Sequence, residues 1–268
     1  MEKTKIALVT GGSSGIGFAI ACELAAKGFS ILLISNQAEQ LETCKAEIES
    51  RFSVTCFILD IDLSATTAAQ QVFDYCVEHQ LEIEVLVNNA GMLIFSEVVQ
   101  TPTKRLETIL QLHMNTPTML CRLFGAQMKE RKSGSILNVS SISSVMPYPG
   151  ISLYGPTKTY MRYFTRALRS EMKEHGVNVS CLLPGATETA LYDPNRINLK
   201  LAKRLGVMQT AEYVARKAVK TIYRKKAECV PGIINKLTIW FMPIIPTFII
   251  ELINRRAKLL DKGQKSLG

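Results

Sequence analysis

The sequence predicts a doubly wound α/β domain, a parallel sheet with helices on both faces. Three observations predict it. Short apolar runs alternate with helical stretches from Lys5 to Val230, which is the pattern of βαβ units joined by right-handed crossovers. A glycine-rich turn, Thr10-Gly11-Gly12-Ser13-Ser14-Gly15-Ile16-Gly17, joins the first apolar run to the first helical one. No repeat, low-complexity segment or internal boundary divides this region, and 268 residues can bury one large core.

Each element has its own reason. Lys5–Thr10 is a short apolar run ended by glycines, as a buried parallel strand would be. Gly17–Lys27 carries Ile20, Ala21, Leu24 and Ala25 on one stripe and stops at Gly28. Ser30–Ile34 reads as the second strand, Gln37–Arg51 as a charged helix and Val54–Leu59 as the third strand. Ser64 is expected to cap a helix reaching about Glu78. Val85–Val87 is the fourth strand, followed by a helix over about Thr103–Lys129 that has room for a break. Ser135–Ser140 is the fifth strand, and a helix opened by Tyr154 runs to about His175. Val177–Leu183 is the sixth strand, stopped by Pro184-Gly185; Thr210–Arg224 is a helix and Glu228–Val230 the seventh strand.

Composition excludes several classes. Nearly half the residues are apolar, so a disordered chain is not expected. The seven cysteines are scattered without a Cys-x-x-Cys pair, which reads as reduced thiols in a cytosolic setting. His79, His113 and His175 stand apart, so no metal site is expected. The chain runs from Met1 straight into a strand, so no secretory signal is expected. The net charge of +9 is uneven: residues 193–268 hold 16 Lys and Arg against 5 Asp and Glu, and residues 1–192 hold 16 against 18. The excess points to an acidic surface or ligand near the C-terminus, or to a solvated tail; no nucleic-acid partner is expected.

Two motifs carry chemistry. In the glycine-rich turn, Gly11, Gly15 and Gly17 permit a tight bend and a close approach of pyrophosphate to backbone, and the following helix N-terminus offers free N–H groups. In Tyr154-Gly155-Pro156-Thr157-Lys158, a helix that starts at the tyrosine puts Lys158 one turn on, on the same face. A nearby ammonium favours the phenolate, which suits Tyr154 to exchange a proton with an alcohol or carbonyl oxygen. Ser141, thirteen residues earlier, could hold that same oxygen. Pro156 lies in the first turn, where the missing N–H costs nothing.

Together the residues resemble the short-chain dehydrogenases/reductases. The matching features are Thr10-Gly11-x-x-x-Gly15-Ile16-Gly17, Asn88-Asn89-Ala90-Gly91, Asn115, Ser141 with Tyr154-x-x-x-Lys158, and Pro184-Gly185-x-x-x-Thr189, spread over residues 5–190. The resemblance implies a seven-stranded Rossmann-type sheet and a nicotinamide cofactor. It implies a catalytic group of Asn115, Ser141, Tyr154 and Lys158, with Tyr154 as general acid/base. Lys158 would lower its pKa and hold the nicotinamide ribose, and Asn115 would carry a water linking Lys158 to solvent. Asn89, Ala90 and Gly91 would lie beside the adenosine ribose, Asp62 and Leu63 by the adenine, and Pro184, Gly185 and Thr189 by the nicotinamide and phosphates. The remaining cofactor contacts would come from Gly11, Ser13, Ser14, Gly15, Ile16 and Gly17.

Ser35-Asn36 follows the second strand, where relatives that use NAD usually have an aspartate and those that use NADP often have an arginine. With no carboxylate to repel a 2′-phosphate, Ser13, Ser35 and Asn36 could bond one, and NADP(H) is expected ahead of NAD. The implied activity is hydride exchange between NADP(H) and a secondary alcohol or ketone, on a hydrophobic lipid- or sterol-like substrate. A reductase of small polar carbonyls is one alternative. Another is a protein that holds NADP(H) without turnover, although such members usually lose the tyrosine or lysine, both present here.

Residues 1–230 thus form the dinucleotide-binding and catalytic domain, with a substrate lid over about 190–208, and residues 231–268 a C-terminal helical extension. Pro243, Pro246 and Glu251 interrupt the apolar tail, so no spanning helix is expected. The tail, over 232–260, either closes the cleft or a contact between subunits of a dimer or tetramer, or lies on a membrane surface through Trp240 and Phe241 with Arg255, Arg256 and Lys258 on headgroups. In the latter case a cytoplasmic protein would sit at the inner membrane face. The tail resembles the lipid carbonyl reductase branch that includes 3-ketosphinganine reductases.

Overall fold

The central strand β1 (Ile6–Thr10) is buried along its whole length, as are β2 (Ser30–Ser35) and most of β4 (Ile83–Asn88). Strands buried on both faces need continuous apolar runs, and IALVT and SILLIS supply them. In this computed structural model residues 5–146, 150–188, 208–246, 248–249 and 251–252 are described. Their main sheet is seven-stranded, in the order β3 (Cys56–Asp60), β2, β1, β4, β5 (Ser135–Val139), β6 (Asn178–Leu182), β9 (Glu228–Cys229). All its pairings are parallel. A separate parallel pair, β7 (Ala186–Thr187) with β8 (Met208–Gln209), lies beyond β6.

Helices cover both faces. On one, α1 (Gly15–Ala25) packs on β1 and β2, α2 (Ala38–Arg51) on β2 and β3, and α7 (Ala211–Tyr223) beside α1 on β5, β6 and β9, burying Ile20, Leu24, Leu41, Ile48, Val214 and Ile222. On the other, α3 (Ala68–Glu78), α5 (Thr116–Glu130) and α6 (Tyr154–Lys173) bury Val72, Leu120, Phe124 and Met172. The order of strands reverses between β1 and β4, and a cleft opens there at their C-terminal ends, as open α/β sheets require. Arg162 on α6 clamps the edge strand β9 by donating from Nε and Nη2 to the two carboxylate oxygens of Glu228, each at 3.0 Å.

Three local expectations need correction. Ser64 does not cap α3. Its N–H and hydroxyl both donate to Asp62 Oδ1, at 2.9 and 2.8 Å, forming a turn, and the helix begins four residues later at Ala68. The third strand starts at Cys56 rather than Val54, and α6 ends at Lys173. The break in the fourth helical region is a π-turn over Gln111–Asn115, between α4 (Thr103–Leu110) and α5. By contrast Thr210 does cap α7, accepting from the Tyr213 N–H at 3.2 Å. The lid expected over 190–208 lies outside the described residues except for Met208, as does the tail beyond Leu252.

The extension begins with Gly232, at φ +85°, and the short helix α8 (Ile233–Phe241), followed by a 3-10 turn over Met242–Ile244. Asn235 is its buried anchor, donating from Nδ2 to the Pro231 carbonyl at 2.7 Å. It stands against Gly185, where an added Cβ would come within 2.4 Å of the Asn235 amide. Ile233, Leu237, Trp240, Phe241, Ile244 and Phe248 are exposed. Among the described residues no helix is long and apolar enough to cross a membrane.

Candidate active site

The glycine-rich turn is held by Asn89. Its Nδ2 donates to the carbonyls of Thr10 and Gly11 at 3.0 and 3.2 Å, and Thr10 Oγ1 accepts from the N–H groups of Asn89 and Ala90. Gly11 has φ +62°, and a Cβ there would touch Ala90 Cα and Asn89 Nδ2 at 2.9 Å. A Cβ on Gly17 would stand 2.1 Å from the Gly11 carbonyl oxygen. A side chain is therefore shut out at Gly11 and Gly17, and the turn packs closely on Asn89 and Ala90 with Gly11 and Gly15 lining the cleft.

The cleft above it has a volume of about 340 Å³. Its wall is made by Gly11, Ser13, Ser14, Gly15, Ile16, Ser35, Asn36, Asp62, Leu63, Asn89, Ala90, Gly91, Pro184 and Gly185, with Ser141, Tyr154 and Lys158 at the far end. Gly17 contributes by packing beneath the turn instead of lining the cleft. Thr189 lies outside the described residues. Thr187, two residues before it, lines the cleft, with its hydroxyl on the Gly185 carbonyl at 3.0 Å.

At the far end of the cleft, Tyr154 opens α6 and Lys158 stands one turn on, with its Nζ 5.7 Å from the tyrosine ring centre. Lys158 is buried and donates to the Val139 carbonyl at 3.2 Å. Burial pushes its amine down to about 8. Ser141 caps the 3-10 turn Ile142–Val145 by accepting from the Ser143 N–H at 3.1 Å. That bond occupies a lone pair of Ser141 Oγ and leaves its proton to point elsewhere.

Asn115 does not join this group. It ends the π-turn with an exposed side chain whose Nδ2 bonds Gln111 Oε1 at 3.0 Å. The inward position of that turn belongs to His113. Residues two apart on a helix face nearly opposite ways, so the two cannot both face the cleft. His113 is buried, takes the Met92 N–H on Nε2 at 3.0 Å and bonds Thr157 Oγ1 through Nδ1 at 2.9 Å.

A family model described as short chain dehydrogenase matches residues 5–199. The chain belongs to the short-chain dehydrogenase family. Among curated proteins, this chain is 32% identical over 218 residues to hydroxysteroid dehydrogenase-like protein 1 of Gallus gallus, covering 81% of this chain. It is 31% identical over 221 residues to the very-long-chain 3-oxoacyl-CoA reductase of Mus musculus, again over 81% of this chain. Both relatives are longer: the chain spans 65% of the first and 68% of the second. A short-chain dehydrogenase from Sphingobium yanoikuyae, solved in complex with NADPH, superposes with a TM-score of 0.76 at 24% identity, covering 98% of this chain and 94% of that one.

Sequence reasoning missed several cleft residues of this chain. Gln37, Ile61, Leu112, Val139, Ser140 and Thr187 all line it. Gln37 stands where α2 begins, and its Oε1 accepts from Ser13 Oγ at 3.1 Å, while Ser13 also bonds Ser35 at 2.9 Å. The hydroxyls expected to meet a 2′-phosphate are thus tied into one small network. Its position directly after Asn36, at a helix start, was the available signal for Gln37.

Proposed function

We propose that this chain is an NADP(H)-dependent oxidoreductase that interconverts a secondary alcohol and a ketone on a hydrophobic substrate. One observation carries the reading: Ser141, Tyr154 and Lys158 line the same cleft as the glycine-rich turn at the N-terminus of α1. The bound dinucleotide supplies or accepts the hydride. Everything else falls to the chain's own residues. Gly11, Ser14, Gly15 and Ile16 present backbone to the pyrophosphate at the N-terminus of α1, and Asp62, Leu63 and Asn89–Gly91 flank the adenosine. Ser13, Ser35, Asn36 and Gln37 form a polar, carboxylate-free rim where a 2′-phosphate would lie, next to the first-turn N–H groups of α2. That rim favours NADP(H) over NAD.

Ser141, with a lone pair already engaged by Ser143, donates its proton to the substrate oxygen. Tyr154 gives that oxygen a proton in reduction and takes one in oxidation. The Lys158 ammonium beside the ring stabilises the negative charge that Tyr154 acquires when it gives up its proton. The name of one relative, very-long-chain 3-oxoacyl-CoA reductase, supports a large apolar substrate. So does the apolar extension seated against Gly185 at the cleft wall.

We also propose that the extension, over 232–260, rests on the surface of an anionic membrane. Trp240, Phe241, Ile244 and Phe248 are exposed together in a region whose charge is strongly positive, a pairing that suits a bilayer interface.

The decisive assay for catalysis uses Tyr154→Phe with NADPH and 3-oxostearoyl-CoA. The variant should lose about 10²–10⁴-fold in kcat while its NADPH affinity stays within about threefold, because only a proton donor is removed. A variant retaining more than about a tenth of the parent rate would remove Tyr154 from the acid/base role.

A further inference from the structure

We propose that His113, not Asn115, is the fourth member of the catalytic group, acting as a neutral clamp that positions Tyr154 and Lys158. The inference rests on the oxidoreductase reading above and adds a residue to it. His113 joins two pieces of the site that are distant in sequence. Its Nε2 accepts the N–H of Met92, the residue that follows the cleft-lining Ala90-Gly91, at 3.0 Å. Its Nδ1 meets Thr157 Oγ1 at 2.9 Å, and Thr157 lies between Tyr154 and Lys158 on the first turn of α6. The imidazole edge meets the Tyr154 ring with centres 5.6 Å apart at 73°.

The hydrogen bonds fix the tautomer. Thr157 Oγ1 donates its one proton to the Tyr154 carbonyl at 2.8 Å, so it can only accept from His113. Nδ1 therefore carries the proton, and Nε2 keeps the lone pair that Met92 requires. Both ring nitrogens are satisfied only in the neutral form. A second proton would break the Met92 bond and set a cation beside Lys158. The place where a Gly91 Cβ would stand is 3.0 Å from His113 Nε2 and 3.6 Å from Lys158 Nζ, so the two groups share one small space. Among the described residues, the other neighbours of this space include Thr10, Asn88, Thr116 and Met161 but no carboxylate, and Tyr154 and Lys158 are the titratable groups that face the ring. Burial and the Lys158 charge both hold the imidazole well below 6.5.

The clamp sets the distance between the loop after β4 and the turn bearing the proton donor and its cation. Loosening it should therefore cost turnover more than binding. The test compares His113→Leu, His113→Asn and Asn115→Ala with the parent on NADPH and 3-oxostearoyl-CoA. His113→Leu should lower kcat by about 10²-fold, the size expected for roughly 1 Å of misplacement, with KM for NADPH nearly unchanged. His113→Asn, whose amide offers one acceptor and a donor, should recover most of that loss.

Two readouts need no substrate. Nitrogen NMR of the full chain should show His113 as the Nδ1-protonated neutral ring from pH 6 to 9. Ultraviolet titration, taken against Tyr154→Phe, should show Tyr154 ionising at higher pH in His113→Leu than in the parent. The proposal is overturned if His113 titrates near pH 6.5, if Tyr154 ionises alike in both proteins, or if Asn115→Ala lowers kcat as much as His113→Leu. If the parent fails to reduce the probe, the substrate reading falls, while the NMR and ultraviolet results still decide the role of His113.

Discussion

Replacing Lys158 with methionine should abolish activity and yet leave the cofactor-free protein as stable as its parent or more so. The residue is 6% exposed, and burial lowers its pKa from 10.5 to about 8. A difference of about 2.5 units corresponds to ~3 kcal/mol, at about 1.36 kcal/mol per unit. Below pH 8 the amine is charged in both the folded and unfolded chains, and the full burial cost is carried. Between pH 8 and 10.5 the unfolded chain binds more protons than the folded one, so stability rises with pH across that window. Lys158→Met keeps the length of the side chain and removes the charge. It also strands the Val139 carbonyl, now bonded at 3.2 Å, at a cost of about 1–3 kcal/mol. At pH 7 the variant should therefore gain between roughly 0 and 2 kcal/mol. The assay is urea unfolding of both cofactor-free proteins from pH 7 to 10.5. The parent-minus-variant free energy should climb by ~3 kcal/mol over that range. Taking the difference cancels Cys22, Cys56, Cys76 and Cys121, whose thiols burial pushes up to between about 11 and about 12 in the folded chain, above the window. A flat difference, or a variant that loses more than about 1 kcal/mol at pH 7, would refute the claim that Lys158 is held as a costly buried cation.

Two further outcomes test the cofactor and the tail. Ser35→Asp should turn a preference for NADPH into one for NADH, because a carboxylate at the end of β2 repels the 2′-phosphate; fluorescence titration with both dinucleotides measures it, and a parent that already prefers NADH would contradict the reading. The full chain should float with anionic liposomes, release as salt rises and ignore neutral ones, since each basic residue near such a surface contributes about 1 kcal/mol within a Debye length; a chain that stays off anionic vesicles and becomes monomeric only when cut after Val230 would make the extension a subunit contact instead.

Much of this was legible in the sequence because it depends on the backbone. The glycine turn, the alternation of strands with helices and the Tyr154–Lys158 spacing follow from conformational freedom and from the strand and helix periods, which are local properties. Side-chain direction inside an irregular turn is not local. Asn115 matched a motif, but the buried stripe of its helical region runs through Ile109, His113, Thr116, Leu120, Phe124 and Met128, at helical spacing that includes the histidine and leaves out the asparagine. That periodicity was present in the sequence and outranks the motif as a guide to which residue faces inward. The Ser64 cap failed for a related reason: Asp62, two residues earlier, offers a carboxylate that captures the serine before the helix can begin. Gln37 was hidden because a residue at a helix start reads equally well as a cap or as a cleft wall.

The contact between Asn235 and Gly185 bears on how the molecule would feed itself. With no room for even a methyl group between them, helix α8 is seated directly on the strand end carrying Pro184-Gly185. A tail settled on a bilayer would then hold the mouth of the reaction chamber at a fixed height above the lipid, as a float holds a dipping tube. An acyl chain or sterol could pass from leaflet to nicotinamide without surfacing into water, so its supply would follow how it partitions into the leaflet instead of its sparse concentration in free solution.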